Sequence, residues 1–258
     1  MFTMIRTMLA GILRDMHTLV WTMVFPVAML LGLGYYVNDP AYSERLLAGV
    51  LATNVLFGAA MVTAFNVMSH RNRGIYKLLR ATPFPTTAFI VSVTASRTVL
   101  TLLVSCVVTV ISVAVFGVKL SLFGLMMVLA ALLMGTVCFT AIGFIAANLS
   151  RDESNVNMIS NLMCFPMLFT SEAFYSLEHA PEWVRVIGRL QPFHYLVEAM
   201  GAAAGQRVDA SAVMLSLGIL AGFAAVCLAI AVLTFRWDPD EAASRSGKRY
   251  ARKSRETA

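Results

Sequence analysis

The sequence predicts an all-α polytopic membrane protein, and its composition and the length of its apolar segments are the observations behind that prediction. Of the 258 residues, 59% are hydrophobic and only 13% are charged. A soluble domain carries about 25% charged residues. Several apolar stretches reach the roughly 20 residues that a helix needs to cross the hydrocarbon core of a bilayer. These features exclude an ordinary soluble domain, and we expect no nucleic-acid partner.

Six transmembrane helices are predicted, at 16–37, 46–68, 98–117, 120–147, 156–174 and 210–235. Lysine and arginine accumulate in cytoplasmic connections, which orients the spans. Only five of the 20 lysines and arginines fall in the odd-numbered connections: Arg45, Lys119, Arg185, Arg189 and Arg207. The others, including Arg97 at the foot of the third span, lie on the side of the chain termini. We therefore predict that both termini are cytoplasmic.

The six-span domain is predicted to cover residues 1–236, and neither end of the chain has the pattern of a transmembrane helix. Residues 1–15 predict an amphipathic helix in the cytoplasmic membrane interface, because apolar residues recur at helical spacing around two arginines: Phe2, Ile5, Leu9, Ile12 and Leu13, with Arg6 and Arg14. Residues 237–258 are basic and poor in apolar residues, so we expect a disordered cytoplasmic tail.

The second connection, 71–82, has the pattern of a two-faced basic helix. Ile75, Leu78, Leu79 and Thr82 form an apolar stripe, and the opposite face holds Arg73, Lys77 and Arg80. Pro83 and Pro85 end the helix, because a residue before proline disfavours helical angles. Such a helix either lies on the anionic inner leaflet or docks its apolar stripe into a groove of a cytoplasmic partner.

The fifth connection, 175–209, is too long for a simple turn. Pro181 occupies a favoured first helical position, and Trp183, Val186, Ile187 and Leu190 then fall on one face. Pro192 breaks the chain before a second apolar stretch. We predict a re-entrant outer hairpin of two short helices between the fifth and sixth spans.

Polar residues inside the spans are the candidates for a substrate pathway: Asn54, Asn66, Asn157, Asn161 and Glu172. Asn157 and Asn161 share a helix face at i, i+4. The alternative role is hydrogen bonding between spans, worth about 0.6 kcal/mol on average. Glu172 is the strongest candidate because a carboxylate within a span is costly. It either attracts a cationic amphiphile or pairs with Arg185 or Arg189.

No pattern of catalytic or metal-ligating residues occurs in the sequence. The four cysteines stand one in each of four apolar runs, which predicts neither a metal site nor a disulfide. There is no GxxxxGK[ST] phosphate loop, no HExxH and no Ser/His/Asp grouping. We therefore expect a chain that is not itself an enzyme, with no catalytic residue and no bound metal or cofactor.

Four stretches, in this order, resemble the permeases of type-2 (ABC-2) ABC exporters: LVWTMVFPVAMLLGLGYYV at 19–37, RGIYKLLRATPFPTTAFIVSVTASR at 73–97, EAFYSLEHAPEWVRVIGRLQP at 172–192 and QPFHYLVEAM at 191–200. The second contains the glycine, Leu-Leu and Thr-Pro of the family's first cytoplasmic loop. Gln191 stands where the family usually has asparagine, Tyr175 where a proline often ends the aromatic run, and Ile75–Tyr76 where a glutamate is common.

The resemblance implies that two permease chains, identical or related, pair with two separate ATPase subunits, which bind ATP and magnesium, in a bacterial inner membrane. It also implies a coupling helix that docks into the ATPase, with these residues: Arg73, Gly74, Ile75, Tyr76, Lys77, Leu78, Leu79 and Arg80. The second and fifth spans would lie near the dimer interface, where substrate passes.

The function expected from these features is ATP-driven export of hydrophobic or amphiphilic compounds, of drug, antibiotic or lipid-like character. Small outer loops and apolar spans favour such compounds over a polysaccharide. Two alternatives remain. A secondary, ion-coupled transporter would need paired ionisable groups near the bilayer midplane. An intramembrane enzyme would have to use His179 and His194 with Glu172 or Glu198.

Overall fold

Helices account for all the regular structure in the part of the chain that the computed structural model describes: residues 16–37, 39–72, 86–175, 180–205 and 209–234. These ranges hold nine α-helices and one π-helical segment: α1 (Met16–Val37), α2 (Pro40–Val55), the π segment (Leu56–Met61), α3 (Val62–Asn72), α4 (Thr86–Phe116), α5 (Leu122–Leu149), α6 (Glu153–Phe169), α7 (Glu182–Arg189), α8 (Pro192–Ala204) and α9 (Ala210–Thr234). The predicted all-α class is confirmed for these residues.

Four helical stretches in the described ranges are long and apolar enough to cross a membrane: Tyr42–Asn72, Ala88–Phe116, Leu122–Leu149 and Ala210–Thr234. The apolar stretch Thr22–Val37 in α1 is shorter, and α6 has 17 residues. The chain is therefore a multi-pass membrane protein. Six spans, the interfacial helix and the re-entrant geometry of the hairpin stay predictions.

The helix that contains the third predicted span is longer than that span. Residues 98–116 lie in α4, but α4 begins at Thr86, so Arg97 lies inside the helix and is only 3% exposed. The polar side chains in these first turns of α4 are accommodated because their hydroxyls donate to carbonyls one turn earlier, as Ser92 does to Ala88 and Ser96 to Ser92. Such back-bonding lets serine and threonine stay within an apolar helix.

The fifth predicted span ends too late. It was expected to run to residue 174, but α6 ends at Phe169. Thr170 closes the helix by donating from both its backbone N–H and its hydroxyl to the carbonyl of Pro166. Glu172 therefore lies in the non-helical stretch that follows α6.

The main core lies where α2, the π segment, α5 and α8 meet. Phe139 of α5 and Phe193 of α8 pack edge to face, with ring centroids 6.0 Å apart. Gly143 lets α5 approach the π segment closely, because a Cβ built there would lie 2.4 Å from the carbonyl oxygen of Ala60. A second cluster joins α3, the start of α4 and the end of α5 around Phe89 and Phe144.

The two short helices predicted in the fifth connection are present as α7 and α8. Pro181 is the N-cap of α7 rather than its first residue, and Pro192 begins α8. Most of α8 is buried among α2, α5 and α9, whereas the apolar face of α7 predicted from sequence is exposed. Gln191 ties the hairpin to α6, donating from Nε2 to the hydroxyl of Thr170 (2.5 Å) and the carbonyl of Met167 (3.2 Å).

Candidate functional site

The predicted coupling helix follows directly on α3. Residues 73–82 lie outside the described residues, as do 1–15, the tail 237–258 and His179. Arg71, expected to be the first residue of the coupling helix, instead belongs to α3, and its side chain is only 5% exposed. The sequence pattern placed it among surface cations, but contacts with a distant helix bury it.

Arg71 connects α3 to the end of α5. Its Nη1 donates to the carbonyl of Ala147 at 3.2 Å, and its Nη2 to the Oδ1 of Asn148 at 3.3 Å. The carbonyl of Ala147 also accepts from the backbone N–H of Ser150 at 3.3 Å. The end of a helix carries partial negative charge and favours a nearby cation. Asn148 then donates from Nδ2 to the hydroxyl of Thr234 at 3.2 Å and the carbonyl of Ala231 at 3.4 Å, in α9.

A neighbouring hydrogen bond links the same end of α3 to α6. Asn72 donates from Nδ2 to Oε1 of Glu153 at 3.1 Å. We call the group Arg71, Asn72, Asn148, Glu153 and Thr234 the polar clamp. It joins the last turn of α3 to α5, α6 and α9, immediately before the segment predicted to contact an ATPase.

The π segment carries a different kind of polar group. Several side chains on the helices around it have a buried polar atom without a hydrogen-bond partner among the described residues, and five of them lie on α2, α3, α5 and α6: Oγ1 of Thr53, Nδ2 of Asn54, Oγ1 of Thr63, Oγ1 of Thr140 and Oγ of Ser160. We call these five the π-segment cluster. Single π-helical turns within α-helices occur frequently at functional sites, and unpartnered buried polar groups are rare enough to require an explanation.

The predicted pathway residues on α6 lie on one face, as expected. Nδ2 of Asn161 donates to Oδ1 of Asn157 at 2.9 Å, on an exposed part of the helix. Phe165, one turn on, packs against Phe57 of the π segment with ring centroids 5.8 Å apart. Of the two predicted residues in the second span, Asn54 is buried in α2 and Asn66 is half-buried in α3.

The ion pair predicted for Glu172 has a different partner. Its Oε2 lies 3.8 Å from Nη2 of Arg45, at the start of α2, rather than beside Arg185 or Arg189 of the hairpin. Both side chains are about two-fifths exposed (43% for Arg45 and 41% for Glu172). A pair this exposed stabilises a fold by about 0–1 kcal/mol. Because Glu172 lies beyond the end of α6, the cost of a carboxylate inside a span does not apply to it.

Glu172 and Arg45 line a cavity of about 560 Å³ between α2, the end of α6 and the hairpin. We call it the charged cavity, and its lining residues are Glu44, Arg45, Ala48, Glu172, Arg189, His194, Val197, Glu198, Gly201 and Gly205. Glu198 accepts a 2.9 Å hydrogen bond from the hydroxyl of Ser216. In the ranges that the structure describes, no group of three His, Cys, Asp or Glu residues could hold a metal ion.

The sequence profile of ABC-2 type transporters matches residues 1–204, most of the chain. The chain belongs to the ABC-2 type transporter family. No curated protein shows significant sequence similarity to it. The family match extends through α8 and covers the predicted coupling residues, the five predicted pathway residues, and every part of the polar clamp except Thr234 in α9.

Membership in the ABC-2 family identifies the chain as a membrane-embedded transport subunit and implies association with ATPase subunits. It agrees with the resemblance drawn from the four sequence stretches. It does not select a substrate, so the drug-efflux character expected from the sequence stays a prediction.

Several residues of these sites were not predicted from sequence. Asn148, Glu153 and Thr234 of the polar clamp come from three different helix ends, and a single polar residue at the end of an apolar helix gives no specific signal. The charged cavity could have been found in part, because His194, Glu198 and Gly201 follow helical spacing on α8 and Glu44 adjoins Arg45.

Proposed function

We propose that this chain is the membrane subunit of an ATP-driven exporter that moves hydrophobic or amphiphilic compounds outward across a bacterial inner membrane. Two such chains, identical or related, would pair with two ATPase subunits that bind ATP and magnesium. The chain would cross the membrane six times, with both termini, the interfacial helix and the basic tail on the cytoplasmic side. The family match over residues 1–204 is the observation that carries this proposal.

The polar clamp supports a coupling role for the segment that follows it. Residues 73–80 stand between α3 and α4, which both contribute side chains to the second core cluster. A displacement of this segment by an ATPase would act on the last turn of α3, where Arg71 and Asn72 bond to α5 and α6. The apolar stripe, Ile75, Leu78 and Leu79, would enter a groove of the ATPase, and the cations at its rim would steer the contact.

The π-segment cluster supports a substrate pathway beside the π segment and α6. A helix can change between π and α geometry in a single turn, which would move Asn54 relative to α6. The unpartnered polar atoms there could bond in turn to the polar groups of an amphiphile, while the apolar helix surfaces contact the rest of the molecule. Asn157 and Asn161 would extend this path along α6.

The coupling proposal is tested with the double variant Leu78→Asp/Leu79→Asp. Carboxylates in the apolar stripe would have to be desolvated on docking, so we expect the ATPase subunit to be lost during co-purification and substrate-stimulated ATP hydrolysis to fall to the level without substrate. Leu78→Met/Leu79→Met keeps the apolar volume and is the matched control. Retention of the ATPase and of stimulated hydrolysis in the Asp variant would contradict the coupling role.

A further inference from the structure

We propose that the charged cavity binds a zwitterionic phosphoammonium group, as in the headgroup of phosphatidylethanolamine. Such a ligand joins a phosphate, which arginine recognises through paired N–H donors, to an ammonium, which carboxylates recognise. The inference concerns binding by this chain alone and is independent of ATP coupling and of the direction of transport.

Two charged side chains of opposite sign in the cavity lining have no polar contact with the described part of the protein. In the described part of the chain, neither the carboxylate of Glu44 nor the guanidinium of Arg189 has a hydrogen bond or an ion pair. They come from different elements, Glu44 from α2 and Arg189 from the end of α7. A ligand with two opposite charges can satisfy both at once.

Three other charged side chains in the lining already have a polar contact: Arg45 and Glu172 form an ion pair, and Glu198 has a hydrogen bond to a neutral hydroxyl. Arg45 and Glu172 face each other at 3.8 Å, and one oxygen of Glu198 accepts from Ser216, leaving the second oxygen available. Three carboxylates against two guanidiniums disfavour a simple anion. A simple cation would leave Arg189 without a partner. The zwitterion fits the lining better than either.

The cavity has the size and the mixed lining of a small-molecule site. Its volume of about 560 Å³ lies within the roughly 300–1,000 Å³ typical of ligand pockets. Ala48, Val197 and Gly201 supply an apolar portion that suits the glycerol and first methylenes of a lipid. The wall is fixed by a hydrogen bond from the hydroxyl of Tyr195 to the carbonyl of Arg189 (2.9 Å), which holds the end of α7 against α8.

Gly201 offers a way to fill the cavity without disturbing the fold. It is exposed, it lines the cavity, and a Cβ added to it would meet no atom within 4 Å. Gly218 of α9 is also exposed with open space around its Cβ position, but it lies outside the cavity. Gly201→Leu and Gly218→Leu are therefore a matched pair of variants.

Binding is measured on the purified full-length chain in a nonionic detergent, by titration calorimetry. Three probes share parts of one structure: dioctanoyl phosphatidylethanolamine, dioctanoyl phosphatidylglycerol, which lacks the ammonium, and glycerophosphoethanolamine, which lacks the acyl chains. We expect the first to bind more tightly than the second. Saturable binding of glycerophosphoethanolamine would show that the cavity recognises the free headgroup as well as the lipid. If only dioctanoyl phosphatidylethanolamine binds, the ligand is the intact lipid.

Loss of one charge-assisted contact corresponds to a loss in affinity of about tenfold or more. We expect Glu44→Gln and Arg189→Gln to weaken binding of dioctanoyl phosphatidylethanolamine by that factor, and Gly201→Leu to abolish it. Arg189→Gln should also weaken the binding of dioctanoyl phosphatidylglycerol, because that lipid keeps the phosphate. Glu44→Gln should leave it unchanged, because that lipid has no ammonium. Glu182→Gln and Arg185→Gln, on exposed positions of α7 outside the cavity, and Gly218→Leu should bind as the wild type does.

Two results would overturn the proposal. One is that neither ethanolamine probe binds the wild-type chain. The other is that binding occurs but stays within twofold of wild type in Gly201→Leu, Glu44→Gln and Arg189→Gln alike. Since no ATPase takes part, either result leaves the proposed export function standing, and loss of ATPase co-purification in the Asp variant of the coupling segment leaves the cavity proposal standing.

Discussion

Two buried asparagines, one in the polar clamp and one beside the π segment, differ in how their side chains are satisfied. Asn148 is 5% exposed and accepts from Arg71 while donating to Thr234 and the carbonyl of Ala231. Asn54 is 7% exposed, and among the described residues its Nδ2 has no partner. The same type of side chain is therefore bonded to residues of two other helices at one end of the bundle, and has an amide nitrogen without a described partner beside the π segment.

This difference separates structural support from a site for passing ligands. A buried polar group with all its partners adds about 1 kcal/mol of net stability per hydrogen bond, whereas an unsatisfied one costs about 1–3 kcal/mol. Water or a ligand can supply the missing partner of the second kind. The polar clamp therefore holds helices together, and under the proposed function the π-segment cluster is available to substrate.

The largest effect is expected at Arg71. Arg71→Met removes a buried cation that bonds the carbonyl of Ala147 and Oδ1 of Asn148, and leaves both acceptors without it. Because a hydrogen bond to a charged group contributes about 1.5–3 kcal/mol, we expect the loss of these two to lower the free energy of unfolding by about 3 kcal/mol. The measurement is unfolding of the purified chain in detergent, followed by tryptophan fluorescence.

Arg151→Met is the control for Arg71→Met, because Arg151 is exposed and lies close to the end of α5. We expect it to unfold within about 0.5 kcal/mol of wild type. If the two variants unfold alike, the clamp does not stabilise the bundle, and the contrast with the π-segment cluster disappears.

The two asparagines provide the direct test of the comparison. Asn148→Leu should lower the free energy of unfolding by about 2 kcal/mol, because it leaves Arg71 and Thr234 without a shared partner. Asn54→Leu removes an amide nitrogen that has no described partner, so its stability should equal or exceed that of wild type. Its substrate-stimulated ATP hydrolysis in proteoliposomes should fall. Equal losses of stability in the two variants would mean that Asn54 is bonded as Asn148 is.

Some of these features could be predicted from sequence because they depend on composition or on the fixed period of a helix. The all-α class and membrane location follow from apolar segment length. Asn157 and Asn161 share a face because any two residues four apart in a helix do, and the 2.9 Å hydrogen bond between them agrees. The existence of α7 and α8 followed from Pro181 and Pro192.

Other features depend on residues far apart in the chain, which a local pattern does not contain. Arg71 is buried by Asn148, 77 positions away, so its sequence neighbours suggested a surface cation instead. Glu172 pairs with Arg45, which only packing of the hairpin against α2 brings near. The π segment also gave no signal, since one extra residue in a helical turn hardly changes a uniformly apolar pattern.

A smaller effect is expected where α5 packs against the π segment. Gly143→Ala places a Cβ 2.4 Å from the carbonyl oxygen of Ala60, so the two elements must separate, at a cost of about 1.5 kcal/mol. Gly222→Ala in α9 meets no atom within 4 Å and should unfold no more easily than wild type, because alanine favours a helix over glycine. The measurement is again unfolding in detergent. A stabilised Gly143→Ala would show that α5 and the π segment are not in close contact.

The smallest effect concerns Asp209, which caps the first turn of α9 at the opposite end of that helix from Thr234. The Ser211 hydroxyl, together with the backbone N–H groups of Ala212 and Ser211, donates to its carboxylate and holds the pKa of Asp209 below its ordinary value. A lowered folded pKa adds stability that is present above the ordinary value of about 3.9 and is lost as pH falls through the folded value.

Asp209→Ala should therefore melt at a slightly lower temperature than wild type at pH 7, and this difference should close below pH 4. Asp209→Asn keeps an acceptor oxygen without the charge, so its smaller deficit should also be confined to the higher pH. A deficit of Asp209→Ala that is unchanged at low pH would assign the effect to the hydrogen bonds alone and not to the carboxylate charge.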